Sequence, residues 1–289
     1  MKEKILLDTD IGSDIDDAIA LAYLLSNPEC EIVGITTVSG KAEERCKIAD
    51  VICKKAGKNI PILPGAEEPL LTEQKQKDVP QAKALSKFNY RKSYPYGEAI
   101  EFMRKTIREN PNQITLLTIG PLTNTALLFK VDPQIPSLLK GFYSMAGCFF
   151  DKEKKVEWNI RCDPHSFYIV NKPEIISHFI GLDVTLKARL HRDKVREEFK
   201  KNPLLSTVLE FAEVWFEKRE YVTFHDIVGA CSIFTSDILS FKKGFVDVEI
   251  EKKELLGMTD FREDKNGTKF VAFDINVEKF FNHFFSFFK

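Results

Sequence analysis

Lys4-Ile5-Leu6-Leu7-Asp8-Thr9-Asp10-Ile11-Gly12-Ser13-Asp14-Ile15-Asp16-Asp17-Ala18-Ile19-Ala20 is the stretch whose reading decides the fold. The short apolar run Lys4–Leu7 reads as a buried strand that delivers carboxylates at its C-terminal end. From Asp17 the apolar residues fall at helical spacing and stop at Asn27-Pro28. The rhythm repeats outward. A second strand is predicted over Glu31–Val38, a helix over Glu43–Ala56 closed by Gly57, and a strand over Ile60–Leu63. Strand and helix in alternation predict an α/β fold: a single open domain over residues 1–289, with a mixed, mainly parallel central sheet and helices on both faces.

Further along, Glu67–Pro95 is polar and weakly periodic and reads as an exposed, mobile excursion over one end of the sheet. Helices are expected at Tyr96–Arg108, Pro121–Phe129 and Pro164–Asn171, and one long charged helix at Asp193–Lys218. Ile114–Thr118 and Gly141–Ala146 read as strands. Phe245–Glu251, Leu255–Arg262 and Lys269–Ile275 read as a meander whose last turn is Lys265-Asn266-Gly267. Phe280, Phe281, Phe284, Phe285, Phe287 and Phe288 lie at helical spacing, the pattern of a terminal helix docked on the core or on another subunit.

Composition excludes several classes. With 42 Lys+Arg against 43 Asp+Glu there is no basic excess of the kind that phosphate neutralisation requires, so nucleic acid is not an expected partner. The six cysteines form no C-x-x-C pair and match no zinc or disulfide spacing, which points to free thiols in a reducing, cytoplasmic setting. The N-terminus meets Asp8 too early for a signal-peptide core. Ile114–Phe129 is uncharged but broken by Gly120-Pro121, so no membrane span is expected.

Asp8, Asp10, Asp14, Asp16 and Asp17 crowd between a buried strand and a helix start. Helix capping accounts for one or two of them. Five like charges this close repel unless a cation neutralises them, and an all-oxygen donor set suits Mg²⁺ or Ca²⁺. Asp8-x-Asp10 after a strand resembles the opening of the haloacid-dehalogenase-type phosphatases. That family wants Thr or Val where Gly12 stands, and a late Gly-Asp pair, and this chain contains no Gly-Asp dipeptide.

The fuller resemblance is to the inosine-uridine-preferring nucleoside hydrolases. It is carried in order by Asp8–Ala20, Thr36-Thr37-Val38-Ser39-Gly40, Gly120-Pro121-Leu122-Thr123-Asn124, Met145-Ala146-Gly147 with Glu157–Pro164, and His225-Asp226. The resemblance implies hydrolysis of the N-glycosidic bond of ribonucleosides to ribose and base, in purine or pyrimidine salvage, by a homodimer or homotetramer. It implies Ca²⁺ held by Asp10, Asp17, the Thr123 carbonyl and Asp226. Asp10 is then the general base toward water. Asp16, Glu157 and Asn159 bind ribose, and His225 serves the leaving base. Glu157 and Asn159 are expected to alternate with Trp158 on an extended segment, Trp158 pointing into the core.

Three departures bear on substrate choice. Asp14 is an extra carboxylate, placed to cap the helix or share the role of Asp16. Lys41 stands where the family often has a substrate-binding Asn, and Lys accepts no hydrogen bond. The loop after Gly147 is short and Lys-rich at Lys152–Lys155. Lys41 and these lysines keep open a ribosyl hydrolase for a phosphorylated or non-nucleoside substrate. A nucleoside-binding protein without turnover is the non-enzymatic alternative.

Overall fold

The computed structural model describes residues 2–151 and 155–289. Of the lysine-rich loop, Lys152 and Lys154 lie outside the described residues.

In chain order the strands are β1 (Glu3–Thr9), β2 (Cys30–Thr37), β3 (Ile62–Pro64), β4 (Ile114–Thr118), β5 (Gly141–Met145) and β6 (Ser177–Ile180). They are followed by β7 (Arg189–His191), β8 (Tyr221–Thr223), β9 (Leu239–Val248), β10 (Thr259–Glu263) and β11 (Lys269–Ile275). The helices are α1 (Asp16–Ser26), α2 (Ala42–Lys55), α3 (Ala99–Glu109), α4 (Thr123–Val131), α5 (Ile135–Leu138) and α6 (Trp158–Cys162). Next come α7 (Pro164–Asn171), α8 (Leu182–Thr185), α9 (Arg192–Phe199), α10 (Pro203–Phe216), α11 (His225–Cys231) and α12 (Val277–Ser286).

One sheet runs β10-β9-β11-β6-β5-β4-β1-β2-β3. The pairs from β11 to β3 are parallel, and β9 is antiparallel to both β10 and β11. Side chains of β1 alternate between the two faces, as a central strand requires. Ile5 and Leu7 join the core under α1, α2, α10, α11 and α12, while Leu6 joins the core under α3, α4 and α7. The chain steps outward from β1 to β3, returns to β4 on the other side of β1, and steps outward again. The reversal between β1 and β4 leaves a crevice at their carboxyl ends, where open α/β sheets place ligands.

Two expected elements differ. The stretch predicted as one helix over 193–218 is two, because Asn202 caps a new helix at Pro203, accepting from the N–H groups of Leu204 and Leu205. The C-terminal strands are not a meander: β9 lies between β10 and β11, and the turn at 264–267 crosses it. Gly244 and Gly267 meet at that crossing, and a Cβ on either would strike backbone. The Phe-rich α12 docks on the core, burying Phe280 and Phe284 completely. All six cysteines are free and buried. No helix among the described residues is long and apolar enough to cross a membrane.

Candidate active site

The end of β1 divides its acidic residues between structure and site. Asp8 ties strands together: its Oδ1 accepts from Thr36 Oγ1 at 2.6 Å and Asn124 Nδ2 at 2.8 Å. Asn124 also donates to Thr37 O and accepts from Ala66 N, so one amide joins the ends of β1 and β2 to the loop after β3. Two residues on, Asp10 lines a cavity of about 680 Å³. Gly12, at φ 112°, turns the chain there, and a Cβ at this position would strike Val79 and Ile48.

The turn delivers Asp16 and Asp17 into the first turn of α1, and Asp226 enters from the first turn of α11. One carboxylate oxygen from each of these three buried residues lies within 4.8 Å of the others. Thr9 Oγ1 donates to Asp17 Oδ1 at 2.5 Å, and Asp226 N donates to Asp16 Oδ2 at 3.1 Å. Asp14 does not cap α1. Its Oδ1 accepts from Ile15 N, and the residue lines the cavity.

Burial is the main force on these groups and pushes every carboxyl up. Asp16 rises to about 7, and Asp10 and Asp17 rise as well. For Asp226, burial and the charges of Asp16, Asp17, Asp10 and Asp14 all act upward. Arg45 offsets part of this at Asp10 and Asp17. The remaining imbalance is that of a donor set built for a cation. Oxygen-only ligands on two helix starts fit a hard divalent ion. Thr123, the other expected ligand residue, is buried at the start of α4, and its hydroxyl is bound to Asp163 Oδ2 at 2.7 Å.

Glu157 and Asn159 both line the cavity, although not on an extended segment. Glu157 is the N-cap of α6: its carboxylate accepts from the N–H groups of Asn159 (2.7 Å), Ile160 (3.1 Å) and Gly147 (3.3 Å). Burial outweighs these bonds and raises it to about 7. Asn159 Nδ2 donates to Met145 O and Ile119 O, the ends of β5 and β4. Trp158 is not a core anchor. It is 47% exposed, because a helical turn rather than a pleat separates it from its neighbours, and it lines the cavity. His225 also lines the cavity, with Nδ1 bonded to Thr185 Oγ1 at 2.7 Å. Burial, and secondarily the charge of Arg189, lowers it to about 4, so it is neutral at pH 7. Lys41 is not brought to the cavity. It sits at φ 58°, and its ammonium pairs with Asp78 Oδ1 at 3.0 Å.

Two polar residues that sequence reading passed over complete the site. Arg45 is fully buried. It donates to the carbonyls of Gly40, Asp10 and Ile11 and to Ser13 Oγ, which fixes the turn after β1. Gln76 donates through Nε2 to Asp10 Oδ2 and accepts from Trp158 Nε1 at 2.6 Å. Gln76 belongs to the excursion predicted to be exposed and mobile. Most of that excursion is exposed or half-buried as expected, but Gln76 is buried, and the segment is tied to the fold through Leu70 N to Asp163, Thr72 Oγ1 to Cys162 O, Gln81 Nε2 to Asp14 O and Arg91 to Asp50.

The whole chain can be placed among known proteins. Residues 5–282 match the family model described as inosine-uridine preferring nucleoside hydrolase. The chain is 30% identical to uridine nucleosidase 1 of Arabidopsis thaliana, over 86% of this chain and 79% of that one. It is 31% identical to the pyrimidine-specific ribonucleoside hydrolase RihA of Salmonella paratyphi B, over 88% and 87%. Among solved structures, a plant nucleoside hydrolase superposes at a TM-score of 0.85 with 20% identity, covering 99% of both chains. A purine-preferring ribonucleoside hydrolase from Gardnerella vaginalis superposes at 0.85 with 20% identity, covering 98% of this chain and 97% of that one. The extent of the family match and the identity to these hydrolases agree with the site: this chain belongs to the inosine-uridine preferring nucleoside hydrolases, hydrolases of N-glycosidic bonds.

Proposed function

We propose that this protein is a Ca²⁺-dependent ribonucleoside hydrolase that releases ribose and free base, with a pyrimidine ribonucleoside such as uridine as its first candidate substrate. One observation carries the reading: Asp10, Asp16, Asp17 and Asp226 meet in the same cavity as Glu157, Asn159 and His225. The names of the two relatives at 30% and 31% identity support the pyrimidine choice. The near-neutral charge and free buried thiols suit a cytoplasmic salvage enzyme. The nine-stranded sheet, which draws strands from Glu3 to Ile275, supports the reading of one catalytic domain; the family resemblance suggests a homodimer or homotetramer.

Asp10, Asp17, Asp226 and the Thr123 carbonyl would hold the ion. A bound Ca²⁺ supplies positive charge that keeps these carboxylates ionised and polarises water and hydroxyl oxygens. Glycosidic cleavage builds oxocarbenium-like charge on the sugar, and the surrounding carboxylates stabilise it. Asp10 accepts the proton of the attacking water. Asn159 has committed its N–H donors to Met145 and Ile119, so its amide oxygen is the acceptor for a ribose hydroxyl. Glu157 retains acceptor capacity beyond its three backbone donors, and Asp16 offers a third contact. With Nδ1 engaged by Thr185, His225 meets the leaving base through Nε2.

Lys41, paired with Asp78, gives no support to a phosphorylated substrate; Lys75, Lys77 and Arg219 along the cavity keep that as the second reading. The deciding experiment is a reducing-sugar assay over a panel of ribonucleosides with Ca²⁺ and with chelator. Ribose release that depends on the ion is expected, and no release from any ribonucleoside in Ca²⁺ would overturn the reading.

A further inference from the structure

We propose that Gln76 is a positioning residue that holds the Asp10 carboxylate and links it to Trp158 at the cavity wall. The proposal rests on the reading of Asp10 as the general base.

The orientation of the Gln76 amide follows from chemistry. An indole N–H only donates, so the partner of Trp158 Nε1 must be an acceptor, and the 2.6 Å contact goes to Gln76 Oε1. That leaves the amide nitrogen for Asp10 Oδ2, which the structure shows bonded. A flipped amide would set nitrogen against nitrogen and oxygen against oxygen. The main chain of Gln76 is equally committed: its N–H donates to Gln74 Oε1 at 2.7 Å, and its carbonyl accepts from Arg45 Nη2 at 3.4 Å. Every polar atom of this 6%-exposed residue therefore has a partner. Arg45 also grips the Asp10 carbonyl, so Asp10 is held at its main chain by one residue and at its side chain by the other.

Trp158 gives the link its direction. It is 47% exposed, lines the cavity and precedes Asn159. A substrate seated against the indole therefore bears on the bond that orients Asp10. A base must lie within hydrogen-bond reach of its proton, and a displacement of ~1 Å costs up to about a hundredfold in rate.

The test uses the full chain loaded with Ca²⁺. Gln76→Leu removes both side-chain bonds. Gln76→Glu keeps the size and the acceptor for Trp158 but faces Asp10 with an acceptor. Both are expected to lower kcat on uridine about tenfold or more while KM changes less than about threefold. Trp158→Phe should lower kcat by a smaller factor, and should lower it no further in the Gln76→Leu background, because the link is already cut. Trp158 and Trp215 are the two tryptophans of the chain. In Trp215→Phe protein, indole emission therefore reports Trp158 alone. Adding Ca²⁺ to chelator-treated protein should shift that emission, and Gln76→Leu should abolish most of the shift. Should Gln76→Leu fail to fold, Gln76→Glu and Trp158→Phe decide. A parent-like kcat in Gln76→Glu, or fully additive losses in the Trp158→Phe, Gln76→Leu double variant, would overturn the proposal. If the parent itself releases no ribose, the assigned activity fails instead, and the emission arm still decides whether Gln76 joins Trp158 to the acidic site.

Discussion

The backbone N–H of Asp226 donates to Asp16 Oδ2 at 3.1 Å, across 210 positions of sequence. The bond joins the first turn of α11 to the first turn of α1, and those two turns supply the three clustered carboxylates. The carboxylate cluster therefore lies at a helix–helix junction, where its charge state bears on packing.

Ion binding should be linked to pH. Burial raises Asp16 and Glu157 to about 7 in the ion-free fold, far above their unfolded values. A raised carboxyl contributes stability that is present below about pH 4 and lost as pH climbs through about 7. Ca²⁺ favours the ionised forms and opposes that loss. The stabilisation on adding Ca²⁺, read as a rise in Tm, should thus grow between pH 4 and 7, and corresponds to about 2.7 kcal/mol at a hundredfold excess over Kd. Paired thermal scans with Ca²⁺ and with chelator measure it. A gain independent of pH would show that these carboxyls do not take part.

Asp10→Asn keeps the shape of the side chain and removes one charge and the base. The kcat should fall by about a hundredfold or more. Metal analysis of the same preparation is the control, since the result assigns the base only if the ion remains. A metal-loaded variant at the parent rate would move the base to Asp14 or Asp16, both of which line the cavity.

Glu157 and Asn159 should each affect both stability and kinetics. Glu157→Ala strips the N-cap of α6 and the partner of Gly147 N, so it should lose about 1–2 kcal/mol of stability as well as raise KM. Asn159→Ala leaves the cap intact but strips the donor from the Met145 and Ile119 carbonyls, so it should cost about 1 kcal/mol of stability as well as act on KM and kcat. Steady-state kinetics beside denaturant curves check both, and parent-like kinetics in either variant would contradict the assignment.

His225→Ala should reduce kcat on nucleosides by about a hundredfold. It should cost much less on a ribofuranoside whose leaving group departs as a stable anion, such as p-nitrophenolate. Because His225 is held at about 4, no rate change from its own titration is expected between pH 6 and 8. Equal losses on both substrates would place His225 in sugar binding.

The parts legible in the sequence share a physical cause. A strand ending in Asp8-Thr9-Asp10 and a helix opening on Asp16-Asp17 announce themselves, because apolar periodicity marks the elements and charge at their ends has few bland uses. His225-Asp226, by contrast, is reached only through the family resemblance, the helix it opens being too short to show a period. Arg45 was illegible because Glu43-Glu44-Arg45 reads as the solvated face of α2, and only the tertiary fold brings carbonyls to bury a guanidinium. Gln76 was hidden in a polar stretch without periodicity, its order coming from hydrogen bonds to distant segments. Trp158 was misplaced because α6 is a five-residue helix, too short to show a period against the strand-like alternation of its neighbours. The order of β9, β10 and β11 depended on a glycine crossing that hydropathy does not encode.

The terminal helix α12 has a reach its position conceals. Tyr23, on the same helix as Asp16 and Asp17, bonds through its hydroxyl to His283 at 2.8 Å and meets the ring of Phe287 edge-on at 5.2 Å. Phe224, the residue before His225, packs against Phe280, Phe281 and Phe284. One amphipathic segment thus braces both scaffolds that present the acidic triad. Slackening this one segment would loosen α1 and α11 together, so damage far from the cavity would reach all three carboxylates at once.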